Sequence, residues 1–217
     1  MTWRNIYFLP EEVSSHNTRD DCWVTIHGVV KNVSELIEEF GHDVDLVNPI
    51  LQEAGQDVSY WFEMDGLGVI NLKTHLLLET GARVSLLPFR IPHGPKFEPD
   101  VNWEPDISTK PWWADEKYNI GVETVRPINV QIINPLIKRS ATIKICFEDT
   151  VQRIMERYSV YNPKICTYIV KYLGNILNTN LNLSQNGVTL KYEDSVEDYV
   201  PTLMLYYQER LAPWRDV

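Results

Sequence analysis

The side chains able to do chemistry are few and scattered. The chain holds three cysteines, Cys22, Cys146 and Cys166, and five histidines, His16, His27, His42, His75 and His93. The cysteines have neither metal-ligand spacing nor the even number of a disulfide framework, so a reducing compartment is expected. No HExxH zinc motif, phosphate loop, Ser/His/Asp set or cleft-type carboxylate pair stands out, and Gly66-Leu67-Gly68 alone makes no nucleotide loop. No residue is therefore assigned a catalytic role. The remaining candidates are aromatic. Trp103, Trp112 and Trp113 share one short proline-containing stretch. Indole rings are costly to leave in water, so they either pack back onto the flanking domains or anchor a docking partner along an extended chain.

The elements that must position these residues fall into three segments. Residues 6–87 mix short strands and short helices. Pro10-Glu11-Glu12-Val13 reads as a first helical turn, with proline tolerated and acids favoured there. Cys22 to Ile26 alternates as a half-buried strand, His27-Gly28 turns the chain, and Val29-Val30 starts the return. Ser34 is placed to cap a helix over 35–40. A second helix is expected over 49–54 and a short aromatic one over 58–62. Residues 88–120 carry Pro88, Pro92, Pro95, Pro99, Pro105 and Pro111, which remove amide donors and favour extended backbone, so this reads as a linker without a core. His93 lies in it, with solvent as its expected partner.

From 121 to 211 alternation returns. Strands are expected over 127–133 and 141–145, a helix capped by Asp149 over 150–158, a strand over 168–172, a short helix over 183–188 ending at glycine, and a closing strand over 203–207. The expected class is α+β, two small domains joined by the Pro/Trp-rich segment.

Composition narrows the partners. In 217 residues, 30 acidic side chains stand against 20 basic ones, for a net charge of −10. Such a surface repels nucleic-acid phosphates and anionic membranes, and suits docking against basic partners. The first residues hold no apolar run fit for a signal peptide, no stretch approaches the roughly 20 apolar residues of a membrane span, and no tail anchor is expected after Leu211.

The first segment resembles cytochrome b5. The matching words are Tyr7-Phe8, Glu12-Val13, His16-Asn17, the run from Asp20 to Val30, Asn32-Val33-Ser34, and Ala54-Gly55-Gln56-Asp57-Val58-Ser59 with Phe62. That family holds haem between two histidines. The resemblance puts Phe40 in the first ligand slot, with Gly41 where the family has proline, and Leu67 in the second, ten residues after Asp57. Haem iron needs a lone pair on nitrogen, sulfur or phenolate, and these side chains have none. His42, two residues past the first slot, and His75, eight past the second, are candidate replacement ligands for haem b, and His75 the candidate metal ligand. The plainer alternative makes both ordinary surface histidines, because one displaced ligand does not recreate an opposed imidazole pair. His16 and His27 sit at family positions that are not iron ligands; His16 is expected to cap a turn or pack on Trp23, and His27 to lie in a hairpin.

The last segment resembles ubiquitin-like domains, through Tyr172-Leu173-Gly174-Asn175-Ile176-Leu177 and then Leu183 and Asn186-Gly187-Val188. Without a terminal Gly-Gly, conjugation to lysine is not expected. The pairing of both domains around Lys110-Pro111-Trp112-Trp113 is similar to a cytochrome b5-domain family associated with motile cilia. That resemblance implies a non-enzymatic structural or adaptor component of the axoneme, on its cytoplasmic side, with radial-spoke subunits as partners and neither nucleic acid nor membrane bound. A cofactor-free protein is expected. The alternatives are a haem-binding electron carrier or redox sensor using His75 or His42, or a small-ligand binder reusing a vacated haem pocket.

Overall fold

The computed structural model describes residues 2–66, 68–76, 78–79, 81, 83–88, 90–94, 110–163, 167–188 and 199–207. It divides into two compact units at Glu123/Thr124.

The first unit opens with β1 (Tyr7–Phe8) and α1 (Pro10–Ser15). Proline starts α1, and the Glu12 carboxylate accepts the Leu9 amide at 2.7 Å, satisfying a donor the helix leaves free. β2 (Trp23–Ile26) and β3 (Val29–Asn32) form a hairpin through His27 and Gly28, both with positive φ, the geometry of a two-residue turn that matches strand twist. α2 (Ser34–Phe40) follows. Ser34 does not cap it: Asn32 Oδ1 accepts the Ser34 amide, which leaves the Ser34 hydroxyl to accept the Cys22 amide. α3 (Val44–Gln52) begins five residues before the expected helix and contains Pro49. Val47 and Ile50 are its buried contacts, and this burial holds a helix that proline weakens. The aromatic stretch is a single 3₁₀ turn, Ser59–Trp61. Two small hairpins come next, β4 (Phe62–Met64) with β5 (Ile70–Leu72) and β6 (Thr74–Leu76) with β7 (Arg83–Ser85).

The chief correction concerns the proline-rich segment. The boundary expected at 121 lies instead after Glu123, and part of the supposed linker completes the first core. β8 (Asn119–Glu123) enters the sheet between β1 and β3, giving the order β1-β8-β3-β2, parallel to β1 and antiparallel to β3. Gly121 allows the approach: a Cβ there would lie 2.5 Å from the Phe8 ring and 2.6 Å from the Ile6 carbonyl. Leu87, Ile91, Trp112, Trp113 and Tyr118 are buried in one cluster with Leu36, Ile37, Val47, Ile50, Trp61 and Phe62. Trp112 and Trp113, at 0% and 2% exposure, are core residues of this unit and not exposed docking anchors. Trp103 lies outside the described residues.

The second unit contains β9 (Pro127–Asn134), β10 (Arg139–Cys146), α4 (Val151–Tyr158), β11 (Tyr168–Tyr172), β12 (Asn175–Ile176) and β13 (Thr202–Tyr207). The sheet order is β10-β9-β13-β11-β12, with β13 parallel to β9 and every other pair antiparallel. A last strand inserted in parallel beside the first is the β-grasp arrangement of ubiquitin-like domains. α4 packs Val151, Ile154, Met155 and Tyr158 into the core with Val130, Ile132, Ile145, Leu203 and Leu205. Its cap is Thr150, whose hydroxyl accepts the Arg153 amide; Asp149, the expected cap, is buried and accepts instead from the Cys146 amide (2.9 Å) and Arg157 Nε (2.7 Å). The short helix expected over 183–188 is a set of turns, because Asn186 spends its side chain on the 178, 181 and 182 carbonyls. Among the described residues no helix is long and apolar enough to cross a membrane.

Candidate functional site

Both iron slots trace to local structure. The first is the last residue of α2. Phe40 is half-buried against the core, and the chain turns behind it, the Asp43 amide reaching the Phe40 carbonyl. Gly41 donates its amide to the Glu38 carbonyl at 3.3 Å, a bond the family proline could not make. A Cβ at Gly41 would lie 2.7 Å from both the Ile37 carbonyl and the Arg19 guanidinium, which itself donates to the Gly41 carbonyl at 2.8 Å.

The second slot falls in the turn between β4 and β5. Gly66 and Gly68 are exposed there, and the turn is held by Asp65, whose amide and carboxylate pair with Val69. Leu67 itself lies outside the described residues.

The imidazole that meets the first slot is neither of the predicted pair. His42 is exposed in the turn after α2, and His75 is exposed in β6 opposite Val84. The ring against Phe40 is His93, edge to face with centroids 5.6 Å apart. Its expected solvent exposure is thus overturned. It is partly buried, and its Nδ1 accepts the Trp112 amide at 3.2 Å. Burial holds its pKa below the usual histidine range, Glu39 and Asp115 opposing and Lys117 reinforcing that effect. With Nδ1 accepting, the neutral ring carries its proton on Nε2. No lone pair is then left for a metal. The Trp112 and Trp113 rings meet at 5.8 Å, and Phe62 contacts them at 6.2 and 5.8 Å. Only tertiary structure could show His93 at the slot; the adjacent tryptophans were the one sequence signal that this segment is buried.

The residues present therefore do not fit haem at the first slot. Phe40 has no donor atom, the nearby imidazole has its lone pair engaged, and the core cluster that Phe40 packs against includes both the Trp112 and Trp113 indoles. Among the described residues no three His, Cys, Asp or Glu side chains gather as a metal site.

Three other titratable groups of the unit hold structure. His16 stacks on Trp23 with ring centroids 3.5 Å apart, and its Nδ1 lies 2.6 Å from Asp21 Oδ2. Cys22 is fully buried, and burial pushes its thiol up to about 12, so it is no nucleophile. Lys31 is 2% exposed, and its ammonium donates to Asn119 Oδ1 (2.6 Å) and the Asp115 carbonyl (3.2 Å), which ties β3 to the segment entering β8. Burial pulls its pKa down to about 8.

Comparison with known proteins agrees with the reading of the first domain. Residues 9–76 match the family model described as a cytochrome b5-like haem/steroid binding domain. Cytochrome b5 domain-containing protein 1 of Mus musculus is 34% identical over 215 residues, covering 95% of this chain and 91% of that protein. The Homo sapiens protein of the same name is 31% identical over 215 residues, with the same coverage. A solution structure of an N-terminal ubiquitin-like domain matches 41% of this chain and 81% of its own, at 20% identity and a TM-score of 0.31; the β-grasp assignment rests on the strand order above. With its haem-slot scaffold, its ubiquitin-like unit and relatives aligned along nearly its whole length, the chain belongs to the cytochrome b5 domain-containing protein 1 family.

Proposed function

We propose that this protein is a non-enzymatic adaptor of the motile-cilium axoneme, associated with radial spokes, and that its cytochrome b5-like unit serves as a docking block without haem. The observation that carries the non-haem part is the first iron slot: Phe40 covered by His93, whose Nδ1 is committed to the Trp112 amide. The ciliary part follows from the family resemblance and from an acidic chain of −10 suited to basic partners.

The test is fractionation of motile cilia carrying the tagged full chain. The protein is expected to stay with the axoneme after detergent extraction, to leave at high salt, and to cross-link to spoke subunits. Complete release with detergent would sink the reading.

A further inference from the structure

We infer that the space facing the first haem-ligand slot is filled by the protein's own chain, so that His93, Trp112 and Trp113 form a tethered, built-in occupant of the site. The loss of two histidines is then only half of the change. Restoring them would leave the site closed.

Three observations converge. The ring in front of Phe40, where the family presents an iron ligand, belongs to His93 and comes from the segment after β7. That ring is fixed: His93 has a φ of 60°, the Gly94 amide bonds the Ile91 carbonyl at 2.9 Å, and Nδ1 holds the Trp112 amide. A histidine held in left-handed backbone persists only where its surroundings determine it. Finally, the two indoles sit in one hydrophobic cluster with Leu36 and Ile37 of α2 and Val47 and Ile50 of α3. Their rings meet each other and Phe62 in edge or tilted contacts.

A ligand in trans must displace this cluster. Each large ring hides about 150–250 Å² of surface. The occupant is also covalently attached, so its effective concentration does not fall on dilution. The displaced segment leads directly into β8, an interior strand, so movement of Trp112 pulls on the Lys31 contacts to Asp115 and Asn119 as well. A haem therefore meets a core, not a vacancy.

The inference rests on the non-haem part of the proposed function and is independent of the ciliary part; axoneme fractionation and haem titration fail separately. The experiment is haemin titration of the full chain, followed by absorbance, for the wild type, for Phe40→His/Leu67→His, and for that double variant with Trp112→Ala added. Circular dichroism melts check that each is folded. The wild type and the double variant are expected to show no saturable one-to-one Soret shift, and the triple variant to gain haemin affinity at least tenfold. A low-spin, one-to-one haem spectrum in the double variant, with Trp112 in place, overturns the inference. So does a folded triple variant that gains nothing. Should the triple variant not fold, amide exchange of the double variant decides. Trp112 protection unchanged by excess haemin supports the built-in occupant, and protection lost on haemin addition refutes it.

Discussion

Lys31→Met probes the clip that closes the first unit. The Lys31 amine is buried at 2% exposure, bonded to one side-chain amide oxygen and one backbone carbonyl. In the unfolded chain it titrates at about 10.4; in the fold burial brings it to about 8, even with Asp115 and Glu116 pulling the other way. The difference amounts to about 3 kcal/mol against the charged form. A cation with a depressed folded pKa leaves the unfolded chain holding more protons between the two values. Stability from this group therefore rises with pH through that window and is lost as pH falls through about 8. Between pH 7 and pH 10 the gain is about 2 kcal/mol. The methionine side chain of the variant cannot titrate. At pH 7 its loss of two hydrogen bonds is offset by removal of a costly buried charge. Urea denaturation of both proteins at pH 7, 8.5 and 10 reads the difference. Cys22 works in the opposite sense, since a thiol raised to about 12 favours the fold less as pH climbs. That contribution is common to both proteins and cancels. Parallel stability profiles for wild type and Lys31→Met would refute the reasoning.

Trp112→Ala is expected to destabilise the first unit by about 3–5 kcal/mol in a urea titration, whereas Trp112→Phe costs less, because the Trp112 Nε1 donor is buried with no partner among the described residues and its removal returns desolvation energy. In the second unit, Asp149→Ala removes the buried carboxylate that faces the Arg157 guanidinium, at a cost of about 3–5 kcal/mol, and Asp149→Leu with Arg157→Met recovers most of it in a thermodynamic cycle. His93 has a depressed pKa, so its contribution is complete above the unfolded value of about 6.5 and is lost as pH falls through the folded one; His93→Asn should flatten that acid slope in melts of the full chain.

The strands legible in the sequence were those whose signal is local. β2 was marked by its run of Trp23 to Ile26, and it meets β3 at His27-Gly28, a pair that accepts positive φ. β9, β10, β11 and β13 read correctly for the same reason, whereas β12, a two-residue strand beyond the Leu173-Gly174 turn, is too short to show alternation. β8 was hidden because its partners are remote: Tyr7 pairs Val122 across the whole unit. Its neighbours are prolines, which locally signal a linker, and no periodicity announces a strand inserted between two others. That the first slot carries no donor atom was legible, since Phe40 is a residue type and needs no coordinates. What stands against Phe40 was not, because His93 reaches it through a turn rather than along an element. The helix expected over 183–188 failed to competition: Asn186 offers the backbone side-chain bonds that a helix would replace.

The position of β8 sets where the first unit must end. The family match stops at residue 76, yet Trp112, Trp113 and Tyr118 are core residues and β8 separates β1 from β3. A fragment of residues 1–87 would lose three buried aromatics, at about 1.5–3 kcal/mol of burial each, together with the strand that joins β1 to the sheet. Lys31 would lose both of its acceptors. The sum is comparable with the whole stability of a small domain, about 5–15 kcal/mol. Residues 1–123 keep every one of these contacts. That fragment should melt cooperatively by near-ultraviolet circular dichroism, and residues 1–87 should show no fixed aromatic signal. A cooperative melt of 1–87 at the temperature of 1–123 would mean that the cytochrome b5-like core stands without its downstream indoles, and that they lie on it rather than in it.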